Sequence, residues 1–169
     1  FACTETKVLN DKGRPVEAGE VGELFSRSPY LFSGYWGNPE TISSMKDGWF
    51  SAGDLAQVDD EGFVYLVDRK MDIIISGGVN IYPREIEEVL YEHPAISDAA
   101  VIGVPDRYWG ESVKAYVVLR ENHSVNSDSL TKFCGKTLAG YKTPKSFEFI
   151  SALPRGSTGK VLKRELHNR

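Results

Sequence analysis

Residues Val67 to Glu88 read V-D-R-K-M-D-I-I-I-S-G-G-V-N-I-Y-P-R-E-I-E-E. Charge crowds one end: Asp68, Arg69, Lys70 and Asp72 precede an apolar, strand-like run, Ile73-Ile74-Ile75. The run stops at Ser76-Gly77-Gly78, where paired glycines let the backbone turn or approach a ligand closely. A second short strand, Val79 to Tyr82, then feeds a helix with Pro83 at its first position, Glu85 in its first turn and Ile86, Val89 and Leu90 on one face. On local pattern alone this is a surface loop, a hairpin and a helix.

Two further motifs flank it in order. Upstream stands G-W-F-S-A-G-D, Gly48 to Asp54; downstream stands P-R-G-S-T-G-K-V-L-K-R-E-L, Pro154 to Leu166. Together the three resemble the AMP-forming acyl-CoA synthetases, part of the adenylate-forming superfamily that includes luciferase and the adenylation domains of peptide synthetases. The central motif resembles that family's hinge, and S-G-G-x-N-I-Y-P is closer to its fatty-acid and aryl-acid branch than to the peptide-synthetase form. The resemblance covers nearly the whole chain, whereas the glycines alone would be a weak signal. It places the nucleotide phosphate loop and the acyl pocket upstream of Phe1, which is not Met, so the chain is expected to be the C-terminal part of a longer enzyme.

Composition is that of an ordinary globular protein: 169 residues, 41% hydrophobic and 26% charged. No apolar run approaches the roughly 18 residues of a membrane span, and the opening F-A-C-T-E-T-K is no secretory leader. Cys3 and Cys134 lack C-x-x-C spacing and a nearby His, so neither metal binding nor redox chemistry is expected and a reducing, cytoplasmic setting is. The net charge of −4 hides an asymmetry. From Lys132 to Arg169 nine Lys or Arg face two acids, a balance of +7 that leaves −11 elsewhere. A basic end suits an anionic ligand; without a stacking-plus-basic motif, nucleic acid is not the expected one.

In chain order, D-K-G-R-P and E-A-G-E-V-G supply turns between short strands, with strands expected over Gly22 to Arg27 and Tyr30 to Tyr35. Asn38-Pro39 starts a helix running to about Met45. Asp59-Asp60-Glu61-Gly62 is a hairpin turn, followed by a strand on which Phe63, Tyr65 and Val67 alternate. Strands follow over Ile96 to Val104 and Val113 to Leu119. Leu130, Phe133, Cys134 and Leu138 recur at helical spacing after an Asn126 cap, making Cys134 a core residue, and Phe147 and Phe149 mark a last strand. The expected fold is α+β. Residues 1–69 form the β-rich end of a larger N-terminal adenylation domain, and residues 70–169 form a compact, mobile C-terminal domain with a small sheet flanked by helices.

The resemblance also implies roles. Asp54 accepts hydrogen bonds from the ribose hydroxyls of ATP and Arg69 meets the same ribose, although Arg69 has a plainer reading as a surface ion pair with Asp68 or Asp72. Met71 occupies the hinge pivot, where the family usually carries Asp or Lys, so the usual charged interaction there is missing. Gly77, Gly78, Trp109, Tyr141 and Lys142 fall on segments that bind coenzyme A, an aromatic ring stacking on adenine and a lysine neutralising phosphate. Thr143 stands where some relatives have Arg. Lys160, presented by a mobile loop at the start of a short C-terminal helix, is the adenylation lysine. It is no phosphate-loop lysine, because Val161 breaks the G-x-x-x-x-G-K-[ST] frame.

The implied reaction joins a carboxylic acid, fatty by expectation, to AMP and passes the acyl group to coenzyme A. ATP and Mg2+ would be held mainly by the missing N-terminal domain, and this chain alone would be inactive. Contact with a membrane surface stays open. The alternatives are an adenylation domain that loads a carrier protein and a non-catalytic module that binds coenzyme A or a nucleotide.

Overall fold

The computed structural model describes residues 3–34, 36–37, 45 and 47–168. The chain forms two compact units, Phe1–Met71 and Asp72–Arg169. That boundary lies two residues beyond the expected one. Lys70 belongs to the first unit because its backbone N–H donates to the Gly53 carbonyl at 2.8 Å and its ammonium pairs with Glu23 at 2.8 Å.

The first unit is an antiparallel meander of β1 (Glu5–Leu9), β2 (Val21–Arg27), β3 (Asp54–Val58) and β4 (Val64–Arg69), each strand paired with the next. Asn10 closes the first turn by accepting from the backbone N–H of Lys12 and Arg14 at 3.2 and 3.1 Å. Two expectations fail here. Phe63, Val64, Tyr65 and Leu66 are all exposed, and Leu55 faces Asp68 while Ala56 faces Leu66, so Val67 is an extra residue, a bulge that interrupts the alternation on β4. Tyr30 to Gly34 are turn and irregular backbone rather than strand. Ser28 captures the Tyr30 N–H on its hydroxyl and the Leu31 N–H on its carbonyl, both at 3.2 Å, and Pro29 has no N–H for a ladder. Tyr35 and residues 38–44 of the expected helix lie outside the described residues.

The second unit contains β5 (Ile74–Ser76), β6 (Val79–Ile81), α1 (Pro83–Tyr91), β7 (Ile96–Asp106), β8 (Gly110–Leu119), α2 (Ser127–Cys134), β9 (Ser146–Phe149) and α3 (Lys163–Leu166). The sheet runs β6-β5-β8-β7, with β9 lying parallel to β8 along Lys114 to Val117. Strand β8 is buried on both faces over its second half, where Ala115 to Leu119 form an unbroken apolar run. Val113, Ala115 and Val117 pack with Ile86, Val89 and Leu90 of α1 and with Leu130 and Cys134 of α2. On the other face Tyr116 packs with Ala100, Ile102, Leu153 and Leu166, and its hydroxyl donates to the Leu166 carbonyl at 3.0 Å. This is the expected α+β domain, a small sheet between two helices and the C-terminal segment.

The helix signals act as read, with one change of length. Pro83 opens α1, and Asn126 caps α2 by accepting from the Ser129 N–H at 2.9 Å. Helix α2 stops at Cys134, with Gly135 at its C-cap, so Leu138 reaches the core from the turn beyond. Cys134 is buried as expected, and that burial pushes its thiol up to about 11. Leu90→Ala should destabilise the chain by about 2–5 kcal/mol through the cavity it leaves. Glu88→Ala, which removes only an exposed pair with Arg84, should cost about 0.5 kcal/mol or less. Urea unfolding of both variants measures the difference.

Candidate functional site

The G-W-F-S-A-G-D motif is pinned to β2 before it reaches Asp54. Phe50 and Ser26 exchange both backbone hydrogen bonds at 2.9 Å, and the Trp49 ring is contacted by two cations, Lys7 at 4.1 Å and Arg27 at 4.7 Å from its centroid. Asp54 then opens β3 directly opposite Arg69 at the end of β4. Their contact is a single Arg69 Nε to Asp54 Oδ1 approach of 3.4 Å between half-exposed side chains. The partner of Arg69 is thus Asp54 rather than Asp68 or Asp72. Register across the hairpin decides this, while the Asp68 carboxylate accepts the backbone N–H of Arg69 at 2.7 Å. Such a loose, exposed pair is weak, so a carboxylate and a guanidinium stand side by side, able to turn to a ligand. Beside them burial pushes the Glu23 carboxyl up, but hydrogen bonds from Lys70 and Ser51 outweigh it and hold the group below the ordinary carboxylate range.

Met71 is the last residue of the first unit and lies in a single 3-10 turn, Lys70–Asp72, with 82% of its surface exposed. Its side chain is not anchored in a core.

In the second unit Ser76, Gly77, Val79, Trp109, Ser112, Val113, Tyr141 and Lys145 line a cleft of about 240 Å³. Three of the five residues expected to bind coenzyme A, Gly77, Trp109 and Tyr141, meet there. The glycine is required twice over: its φ is +58°, and a Cβ would sit 2.8 Å from Cε3 of Trp109. Its N–H donates to the Trp109 carbonyl at 2.8 Å, which fixes the indole's root against β5. Gly78 is exposed and is not among the lining residues. Lys142 is not among the lining residues either. Its ammonium is held by both carboxylate oxygens of Glu85 at 2.7 Å, and Lys145 is the cation that lines the cleft. Val79 and Ser112 were not legible as lining residues, since only the β5–β6 and β8 registers bring them there. Thr143 is buried and donates to the Ala139 carbonyl at 3.4 Å; it is a structural hydroxyl.

Lys160 is exposed, in a closed turn rather than at the start of a helix, since α3 begins only at Lys163. Arg155 and Val161 bridge, the Gly156 N–H donates to the Lys160 carbonyl at 2.9 Å, and Leu162 N–H to the Pro154 carbonyl at 2.8 Å. The turn also hangs from β7. Arg155 pairs with Asp98, which raises the guanidinium above its ordinary range, and donates to the Gly159 carbonyl at 2.6 Å. The cleft and this turn lie on opposite sides of β8, one beside β5 and the other tied to β7. Among the described residues no group of three or more His, Cys, Asp or Glu could hold a metal ion.

Residues 85–160 match the AMP-binding enzyme C-terminal domain. Over these residues the chain carries the AMP-binding enzyme C-terminal domain. It is 50% identical over 148 residues to a long-chain-fatty-acid–CoA ligase from Bacillus subtilis, an alignment covering 87% of this chain and 26% of that protein. It is 47% identical over 167 residues to a feruloyl-CoA synthase from an Amycolatopsis species, covering 98% of this chain and 34% of the relative. Among solved structures, o-succinylbenzoate CoA synthetase from Bacillus subtilis, in complex with its acyl-adenylate intermediate, matches with a TM-score of 0.92 and 40% identity over 98% of this chain and 34% of that one. The chain therefore spans about a quarter to a third of the length of these proteins.

The close approach at the C-terminal domain's cleft gives a direct test. Gly77→Ala must displace the Trp109 indole and adopt a strained φ, so it should cost about 1 kcal/mol or more. It should also shift the indole N–H resonance of Trp109 while that of Trp49 stays in place, as proton–nitrogen spectra of the variant would record.

Proposed function

We propose that this chain is the C-terminal part of an acyl-CoA synthetase that converts a carboxylic acid and ATP to an acyl-adenylate and pyrophosphate, and then transfers the acyl group to coenzyme A with release of AMP. The observation that carries the reading is the separation, on one domain, of an exposed lysine turn from an aromatic cleft. Two chemically different half-reactions call for two different surfaces. The relatives support the acid-plus-thiol chemistry, and the fatty and aryl acids in their names support an apolar acid; a fatty acid is our choice, in keeping with the Bacillus relative.

In this reading Asp54 accepts from the vicinal ribose hydroxyls and Arg69 donates to the same sugar, their loose mutual contact giving way to charge-assisted hydrogen bonds of about 1.5–3 kcal/mol each. Lys160 brings its ammonium to the developing charge between the acid's carboxylate and the α-phosphate, a preorganised charge in place before the bond forms. Its turn is closed by backbone bonds, so little ordering is left to be done. Coenzyme A would lay its pantetheine arm along the cleft. At about 240 Å³ the cleft is smaller than the roughly 300–1,000 Å³ pockets that enclose whole ligands, which suits an extended arm. Trp109 and Tyr141 offer faces to it and Lys145 a charge, with Lys142 kept in its pair with Glu85. Met71 is the pivot between the two uses of the domain. Free Cys3 and Cys134 support a cytoplasmic setting.

Lys160→Ala in the full-length enzyme should lower acyl-adenylate formation about 100-fold or more and spare thioester formation from supplied acyl-adenylate. Single-turnover assays of the two half-reactions check this. Equal loss of both, with folding intact, would contradict the assignment.

A further inference from the structure

Arg155 lies five residues before Lys160 and makes three ties that converge on its turn. One arm of its guanidinium donates to the Gly159 carbonyl at 2.6 Å, and the other pairs with Oδ2 of Asp98 on β7. The backbone of the same residue bridges to Val161. Asp98 is itself oriented: its Oδ1 accepts from the Tyr91 hydroxyl at 2.7 Å, and the oxygen of that hydroxyl accepts from the Ala99 N–H at 3.4 Å. Burial first, and then the hydrogen bond to Asp98, holds the Tyr91 phenol above its ordinary range, so it stays a donor. A continuous line of hydrogen bonds thus runs from the last turn of α1 through β7 to the peptide carbonyl immediately before Lys160.

Stability does not account for this arrangement. The Arg155–Asp98 pair is 45% and 20% exposed at its two side chains, and exposed ion pairs add little. Its geometry is the informative part. A planar guanidinium donating to two different acceptors fixes the angle between them, which a lysine ammonium cannot do. Gly159 takes the left-handed φ of +78° in this turn, and its carbonyl is the group that Arg155 holds.

We propose that Arg155 is a positioning residue for the adenylation half-reaction, acting with Asp98 and Tyr91 to set the Gly159–Lys160 peptide and so the direction in which Lys160 reaches. The proposal rests on the adenylation role given to Lys160 above. It makes Arg155 dispensable once Lys160 is gone.

The test is an epistasis measurement on the full-length enzyme. Acyl-adenylate formation is followed in single turnover for the wild type, Arg155→Ala, Lys160→Ala and the double variant. Amide exchange at Gly156, whose N–H bonds the Lys160 carbonyl, provides a readout independent of activity. Arg155→Ala should slow adenylation about 10- to 100-fold, the scale on which small misplacements act. It should speed exchange at Gly156 with exchange in β8 unchanged, and cause no further loss in the Lys160→Ala background. If Arg155→Ala does not fold, Asp98→Asn removes the same ion pair from its other end while keeping side-chain volume, and the same pattern is expected. Wild-type adenylation in Arg155→Ala while Lys160→Ala is impaired would overturn the positioning role alone. A loss that multiplies with Lys160→Ala would overturn it too, since Arg155 would then act on something else. Wild-type adenylation in Lys160→Ala would overturn both the positioning role and the reading beneath it.

Discussion

The second unit depends on the burial of β8 on both faces. A strand covered on one side needs apolar residues only at alternate positions, whereas Val113, Ala115, Tyr116 and Val117 are all buried. With β7 paired along its length and β5 and β9 against its other edge, β8 leaves its neighbours little freedom of register. A slip of one residue would send Tyr116 into the cluster under α1 and α2, and would strand its hydroxyl away from the Leu166 carbonyl.

Two separate surfaces follow from that constraint. The β5 side of β8 receives the Gly77 turn, whose N–H is locked to the Trp109 carbonyl, and so builds the cleft. The other side carries β7, from which Asp98 reaches the Lys160 turn, while Lys163 pairs with Glu87 of α1 at 2.8 Å and steadies the segment beyond it. Each surface is set by bonds to a rigid strand, so each can present its groups without the other being disturbed. The proposed pair of half-reactions would draw on that independence.

Much of this was legible in the residues. Period and punctuation marked α1, β7, β8 and the Asn126 cap, because Pro83 acts through its fixed φ and Asn126 through its side-chain oxygen, although β7 runs on through Pro105 to Asp106 rather than stopping at Val104. The motif order found Asp54, Arg69, Gly77, Trp109, Tyr141 and Lys160 as candidates, and register places Asp54 against Arg69 and Gly77 against Trp109. What stayed hidden was long-range. The capture of Lys142 by Glu85, 57 positions away, and the hold of Asp98 on Arg155, also 57 positions away, leave no trace in local pattern. The bulge at Val67 and the Ser28 turn are contests between ladder and side-chain hydrogen bonds, which composition does not settle.

If the cleft beside β5 takes the thiol and the turn tied to β7 takes the adenylate, coenzyme A should engage only the first. Titrating the isotopically labelled 169-residue chain with coenzyme A and following its proton–nitrogen spectrum tests this most directly. The account predicts progressive shifts at Gly77, Trp109 and Tyr141, with the amides of Gly156 and Lys160 unmoved. Shifts centred on the turn from Arg155 to Val161, with the cleft residues silent, would contradict it.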